Sequence, residues 1–597
     1  MSIQLKYNDN YSEVYGDTYI NKMNYLVKAI TEYKTGSNYF NVFNFETGLG
    51  KSFTVDRVLS KLINELWNNE QKFLIVKKFN DESIKSVNFI QEESLFVKDS
   101  ALAITHENWS EYRFKLDYIH RTKFVYISHQ RYIALCENEE LRKEIIKGRD
   151  TLIIDEKILF PVYTYNDKRY IKILELVPHG LRDSLTKVCK PLNDFIALHQ
   201  TLKHTNKVFK PKFKIHPATL NNFINDIKVA LENRTISQTE NRNSVIDFIN
   251  ELQLFYSNSQ CAYNSGNIST HNPKHNHWGL DNNIILDASA MIDGTYFCNP
   301  EKFKILNQTR IIDHKGCSFN VIKFNSAKSK VMKYSKKYFT EMAQRIKDNQ
   351  KETDKVLIVG HKDFAGKIHN ELIQLYKEED IWIDKSDKEN DADYNDQSVA
   401  ISWYGNLVGK NWAGDFTQVW LISTPNIPLE QYLIHFLHYS DDKLGNKSTE
   451  VIKGKYKNRY FKAIQKGYVA AEMYQSLKRI QRSAKPKGDF YIVSNDEELV
   501  SDILSQIKNA EIKNEIELDF VKAEQEEKEQ EKQINKKPDQ VDMFIEYILS
   551  EKKGIYKKSD IANQLKISKI NRVLLDTRVK ILINKRLEIH TRNIQIL

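Results

Sequence analysis

The stretch Tyr39–Ser60, YFNVFNFETGLGKSFTVDRVLS, decides how the rest of the chain is read. Its opening, Tyr39–Phe45, is rich in aromatic residues and predicts a strand. A glycine turn follows, after which Phe53, Val55, Val58 and Leu59 recur at helical spacing. Strand, glycine turn and helix is the setting in which backbone N–H groups at a helix N-terminus cradle phosphate. Here Thr47 and Gly48 precede Gly50, Lys51 and Ser52. The glycines permit the tight turn, Lys51 brings a cation to the β- and γ-phosphates, and Ser52 offers a hydroxyl to Mg2+. The full G-x-x-x-x-G-K-S pattern has glycine at position 45, where this chain has Phe45. The stretch predicts binding of ATP with Mg2+.

Outward from this loop, Phe73–Val76, Phe124–Ile127 and Leu152–Ile154 are short apolar runs separated by helical patterns, as in a parallel α/β sheet. The last run ends in Asp155 and Glu156. An Asp at the C-terminal end of a strand suits Mg2+, and a neighbouring Glu suits a base that orients and deprotonates water. Phosphate loop and acidic pair would then meet at one sheet edge. From about Lys157 to Leu280 the alternation breaks down. Ser244–Phe255 reads as a helix, and Ser257–Trp278, rich in Asn, Ser and His, reads as a loop. Ile284–Asp287 resumes a strand. A second alternation begins near Val331, with a helix over Lys337–Asn349, a strand at Val356–Val359, a helix after Phe364 and a strand at Val419–Ser423.

The order of these motifs resembles that of a divergent superfamily-two helicase. Asp155-Glu156-Lys157 looks like the DEAD/DEAH-type box, with Lys157 where Ala or Cys is usual. Ser289-Ala290-Met291 looks like the Ser-Ala-Thr motif that couples hydrolysis to domain movement, with Met291 in place of Thr. Gly409 and Asn411, before Asp415, are similar to a Gly-x-Asn fifth motif. Gln475-Ser476-Leu477-Lys478-Arg479-Ile480-Gln481-Arg482 matches the sixth motif, Gln-x-x-Gly-Arg-x-x-Arg, apart from Lys478. Helical spacing would place Gln475, Arg479 and Arg482 on one face, with both guanidiniums acting as arginine fingers. His129, in Tyr126-Ile127-Ser128-His129-Gln130, resembles a Thr-His-Gln segment that touches a nucleic-acid backbone; capping and core roles fit it equally.

The resemblance covers roughly residues 20–500. It implies an ATP-dependent helicase or translocase that moves on or unwinds DNA, with RNA as a further candidate substrate. Two tandem RecA-like domains would hold the nucleotide between them. The gap between Glu156 and Ser289 suggests an accessory, arch-like insertion, a layout shared with the iron–sulfur helicases. No four-Cys cluster is present, so no iron–sulfur cluster is expected. Within the insertion, Cys261, His271, His275 and His277 are compatible with zinc, but the spacing is weak and the histidines read as exposed loop residues.

The composition agrees with this plan. The 597 residues suggest about four domains, and 41% hydrophobic residues exclude a mainly disordered chain. Five scattered Cys with no CxxC pair argue against a secreted disulfide framework, and no apolar run suggests a membrane span. A cytoplasmic protein without a membrane partner is expected. The Lys/Asn/Ile-rich composition points to a low-GC bacterium or a phage, plasmid or similar mobile element.

The net charge of +10 conceals an internal contrast. Residues 511–532 carry nine acids against four bases, while 557–597 carry ten bases against three acids. The first reads as a solvated linker and the second as part of a basic terminal unit. Asp539–Ser550, Ser559–Leu565 and Ile570–Leu582 read as helices, and Leu587–Leu597 as a hairpin, the order of a winged helix-turn-helix. Ser568–Asn584 would be the groove-entering helix. Lys569, Arg572 and Lys580 are candidate DNA contacts, with Arg592 at the wing tip.

The expected fold is therefore α/β. Residues 1–160 and 281–325 form the first RecA-like domain, 161–280 a mostly helical insertion, 326–510 the second domain, 511–538 a linker and 539–597 the winged helix. An ATP-switched DNA-binding regulator or defence scaffold, without processive unwinding, is the alternative function.

Overall fold

A computed structural model of the chain describes residues 9–32, 38–65, 71–93, 100–200, 207–236, 239–258, 260–385, 394, 396–407, 410, 412–440, 443–534 and 539–597. They form two compact units, residues 1–516 and 517–597.

In the larger unit, β1 (Phe40–Phe43), β2 (Phe73–Lys77), β3 (Ala101–Ile104), β4 (Phe124–Ser128) and β5 (Thr151–Asp155) begin the first sheet. The insertion contributes a separate antiparallel sheet of β6 (Tyr163–Tyr165), β7 (Ala262–Asn264) and β8 (Asn267–Thr270). Then β9 (Asn282–Leu286) and β10 (Phe303–Leu306) return to complete the order β10-β1-β9-β5-β2-β4-β3, all parallel. Side chains alternate between two cores because successive residues of a strand face opposite sides. Ile75, Ile153 and Ile284 pack with the helix Lys51–Glu65, whereas Leu74, Leu152 and Ile285 pack on the other face. Both faces are covered, which is why the strands read as continuous apolar runs.

The second sheet consists of β11 (Ser318–Ile322), β12 (Val356–Gly360), β13 (Ile381–Ile383), β14 (Val399–Trp403), β15 (Gln418–Leu421), β18 (Asp489–Val493) and β19 (Ile512–Ile516). A two-stranded ribbon, β16 (Val451–Ile452) and β17 (Lys455–Tyr456), branches from the chain before β18. The sheet order is β13-β14-β12-β15-β18-β11-β19, again all parallel. Two such parallel sheets, each wrapped by helices, are tandem RecA-like domains. The acidic stretch after residue 510 is thus only partly a linker. Ile512–Ile516 pair with β11 as an edge strand, where the exposed Lys513 and Glu515 can face solvent. Asp519–Ile534 form a helix of the smaller unit's segment.

The insertion holds the helices Asp167–Leu176, Arg182–Gln200, Pro217–Glu232 and Thr239–Ser257 around its own apolar core. Residues 257–278 are not an open loop: they contain the β7–β8 hairpin, and His271, His275 and His277 are all buried. Part of the insertion belongs structurally to the second domain. Val208 N–H donates to Thr449 O at 3.1 Å, and Val208 and Ala262 share a cluster with Tyr432, Phe436 and Tyr456. Among the described residues, no helix is long and apolar enough to cross a membrane.

In the smaller unit, the helix Gln540–Ser550 is followed by β20 (Gly554–Lys557), the helices Lys558–Gln564, Ile570–Leu574 and Thr577–Lys580, and the hairpin of β21 (Leu587–Ile589) and β22 (Asn593–Ile596). The sheet order is β20-β22-β21. β20 was not legible as a strand, because Ile555 and Lys557 face solvent and leave a single apolar side chain on the inner face. The expected continuous helix over Ser568–Asn584 is broken. Asp576 caps a new helix by accepting from Arg578 N–H at 2.9 Å, and the preceding helix stops at Leu574.

Candidate active site

β1, β9 and β5 are neighbours, so the segments after their C-terminal ends converge: the phosphate loop, Asp287–Met291, and Asp155–Lys157. This is where an open α/β sheet holds ligands. Gly48 and Gly50 have φ of 86° and 83°, which a side chain would strain, and Lys51 is the first residue of its helix. Lys51 Nζ donates to the carbonyls of Phe45 and Glu46, at 3.1 Å each. Burial pulls its pKa down to about 8, against the opposing pull of Asp155, Glu156 and Asp287. Neutral carbonyls are weaker partners for an ammonium than a phosphate is, so the loop fits a polyphosphate that would replace them. Tyr19, from the helix Asp9–Thr31, donates its hydroxyl to Leu49 O at 3.3 Å and braces the loop from behind.

Asp155 and Glu156 are held by groups that sequence reasoning passed over. Lys77, at the end of β2, lies 3.9 Å from Asp155 Oδ2 and 3.3 Å from Asp56 Oδ2. Asp56 also accepts from Ser86 at 2.7 Å and from Tyr126 at 3.0 Å, so a buried network fixes Lys77 beneath the acidic pair. The signal was a Lys terminating an otherwise apolar strand. His129 belongs to the same support. It is buried, with Nε2 3.0 Å from Asp155 O, and burial lowers its pKa to about 4. It therefore props the acidic strand, the core role that its sequence setting also allows. Glu156 has φ of 71°, uncommon for a non-glycine residue, with its N–H bound to Leu286 O at 3.1 Å. Burial raises its pKa, and its Oε2 is buried without a hydrogen-bond partner. Lys157 forms an ion pair with the buried Asp293, joining the acidic box to the segment after Ser289.

The second domain supplies the opposite wall. Gln475 Nε2 donates to Ser289 Oγ at 3.3 Å, and Asp287 accepts from the same serine's hydroxyl at 2.6 Å. Arg479 Nη2 stands 4.0 Å from Glu156 Oε1, is 4% exposed and leaves its Nε unpartnered. Arg482 Cγ is 3.6 Å from the position a Cβ on Gly48 would occupy. These residues do not share one helix face, as the spacing suggested. The helix Arg459–Leu477 ends before Arg479, and Gln481 turns with φ of 50°, sending Arg479 to the acidic pair and Arg482 to the phosphate loop. Lys478, in the usual glycine place, is buried with Nζ 2.5 Å from His314 Nε2, and burial lowers its pKa to about 8. Arg310, between the domains, was also missed. It donates to Asn44 O at 2.6 Å, Ala288 O at 3.2 Å and Gln506 Oε1 at 2.6 Å. Gly409 and Asn411 lie outside the described residues.

In the smaller unit Lys569, Arg572, Lys580 and Arg592 are all exposed. Arg578 is instead committed to Asp539, Asp542 and Asp576, at 2.9, 2.7 and 3.1 Å.

No protein-family model and no curated protein matches the chain. Among solved structures, an apo XPD structure is similar at TM-score 0.52 and 13% identity, covering 83% of this chain and 100% of that one. Xpd4 of S. tokodaii is similar at TM-score 0.49 and 11% identity, over 82% of this chain and 99% of the other. Mss116p, solved with ssRNA and AMP-PNP, gives TM-score 0.37 and 13% identity, over 93% and 86%. The first of these carries the comparison: over 83% of this chain the two tandem parallel-sheet domains share the fold of the XPD structure.

Proposed function

We propose that the chain is an ATP hydrolase that drives movement along nucleic acid, most simply DNA, as a helicase or translocase. One observation carries this reading. Lys51 and Asp155–Glu156 of the first domain meet Gln475, Arg479 and Arg482 of the second in a single cleft. Such a site is complete only when the domains are together, so turnover and domain movement are coupled. Mg2+, held by Ser52 and Asp155, would neutralise phosphate charge. Thr47, Gly48, Gly50 and Lys51 bind the polyphosphate. Glu156 accepts a proton from the attacking water, and burial makes it a stronger base than an exposed Glu. Arg479 and Arg482 offset the charge that develops on the transferred phosphoryl group.

The smaller unit is proposed to be a winged helix that grips a duplex through Lys569, Arg572, Lys580 and Arg592, largely by phosphate contacts. The test is ATP turnover by the wild type, Lys51→Ala and Glu156→Gln, each with and without single-stranded DNA, duplex DNA and RNA. Polymer-stimulated turnover lost in both variants is expected. Binding of ATP without turnover on any polymer would leave the ATP-switched regulator instead.

A further inference from the structure

The helix Arg459–Leu477 ends just short of Arg479, so its position along its own axis sets how far Arg479 reaches into the cleft. One face of this helix lies directly on the backbone of residues 292–294, which follow Ser289-Ala290-Met291. A Cβ on Gly467 would stand 2.3 Å from Gly294 N and 2.6 Å from Ile292 O. A Cβ on Gly294 would stand 2.3 Å from Ala463 O. These neighbours are backbone atoms and cannot swing aside as a side-chain tip does. The segment is also clamped from the first-domain side. Asp293 accepts from Thr295 N–H at 3.0 Å and Thr295 Oγ1 at 2.6 Å, and pairs with Lys157. Lys157 adjoins Glu156, so the glycine contact joins the water-activating end of the first domain to the arginine-bearing helix of the second.

We propose that Gly294 and Gly467 are a positioning pair, fixing the depth at which the second domain delivers Gln475 and Arg479 to the cleft. The proposal rests on the ATPase reading above. A methyl group at either position must move from 2.3 Å to at least 3.4 Å to reach ordinary contact, a displacement of about 1 Å. A helix transmits such a shift along its length to Leu477, about 15 Å further on at 1.5 Å per residue, and Arg479 follows two residues later. The 4.0 Å separation of Arg479 from Glu156 would change by a similar amount. A misplacement of about 1 Å costs on the order of 100-fold in rate.

The test uses the full chain with saturating single-stranded DNA. It compares wild type, Gly467→Ala, Gly294→Ala and the control Gly366→Ala, whose added methyl meets nothing within 4 Å. ATP turnover is resolved into kcat and KM, and binding of a fluorescent ATP analogue is measured separately. In both seam variants kcat should fall about 100-fold while KM and analogue binding stay within about threefold of wild type. Gly366→Ala should match wild type. A kcat within about threefold of wild type in either seam variant overturns the proposal. So does loss of analogue binding together with kcat, which would make the pair a folding contact. A wild type no more active than Lys51→Ala would instead sink the ATPase reading, and the positioning role with it.

Discussion

Acidification should loosen the larger unit through a cluster of buried histidines where the insertion meets the second domain. His271, His275 and His277 follow β8, and His435 and His438 lie on the helix Leu429–Tyr439; all five are under 10% exposed. The rings of His271 and His438 are 5.5 Å apart, those of His435 and His438 are 6.2 Å apart, and Phe160 lies 5.3 Å from His438. Neither ring nitrogen of His438 has a partner, nor does Nδ1 of His275 or His277. Burial lowers the pKa of His271 and of His435 to about 4, and holds His277 and His438 well below the usual value.

The charged groups facing the cluster divide in sign. Lys157 and Lys302 oppose protonation, Asp293 favours it at His435, and Glu137 lies 2.7 Å from His275. A pKa lowered on folding means that the unfolded chain binds more protons, so stability falls as pH drops from 6.5 towards 4. Linkage gives a loss of about 2 kcal/mol at pH 5 for each of His271 and His435, or about 4 kcal/mol together. His277 and His438 add to this in the same direction. Buried Glu430, pushed up to about 8, works against it, because acidification relieves its cost by about 2.5 kcal/mol between pH 7 and 5.

The assay is the urea midpoint of the full chain from pH 7 to pH 5, for wild type and for His435→Leu. The variant should lose about 1.2 kcal/mol per pH unit of the wild-type slope between pH 6 and 5, nearly one proton's worth. An unchanged slope would show that His435 titrates alike in both states and would refute the reasoning.

Three further outcomes are expected. Lys157→Ala should destabilise the larger unit by about 3–5 kcal/mol, because Asp293 is 1% exposed and loses its counter-charge. Adding Asp293→Asn should recover most of that loss in urea denaturation, and strictly additive effects would argue against the pair. Arg479→Ala should lower single-turnover ATP hydrolysis by about 1000-fold while analogue binding persists, as for an arginine finger. Truncation at Pro538 should weaken duplex binding and flatten its salt dependence in a fluorescence titration. Unchanged binding would assign the smaller unit to protein contacts.

The glycine turn before the helix Lys51–Glu65 and the acidic strand were legible because their pattern is local: a turn that needs glycine and an apolar run ending in two acids. The parallel sheets followed from apolar runs buried on both faces. What the sequence concealed was set by tertiary contacts. His129 reads equally as a polymer contact, a cap or a core residue, and only the tertiary structure shows its ring turned under Asp155. Polar His271, His275 and His277 signal a solvated loop, but aromatic neighbours such as Phe160 bury them. Spacing placed Arg479 and Arg482 on a continuous helix, and the turn at Gln481 separates them. Lys77, Arg310 and the Gly294–Gly467 contact act through partners far away in sequence, which no local pattern records.

The central claim is that ATP turnover in this cleft moves the chain along a strand. Displacement of streptavidin from a biotinylated single-stranded DNA tests it most directly, with ATP and with AMP-PNP. ATP-dependent displacement by the wild type, absent with AMP-PNP and absent in Glu156→Gln, is the predicted result. ATP hydrolysed at full rate with streptavidin left in place at both strand ends would contradict it.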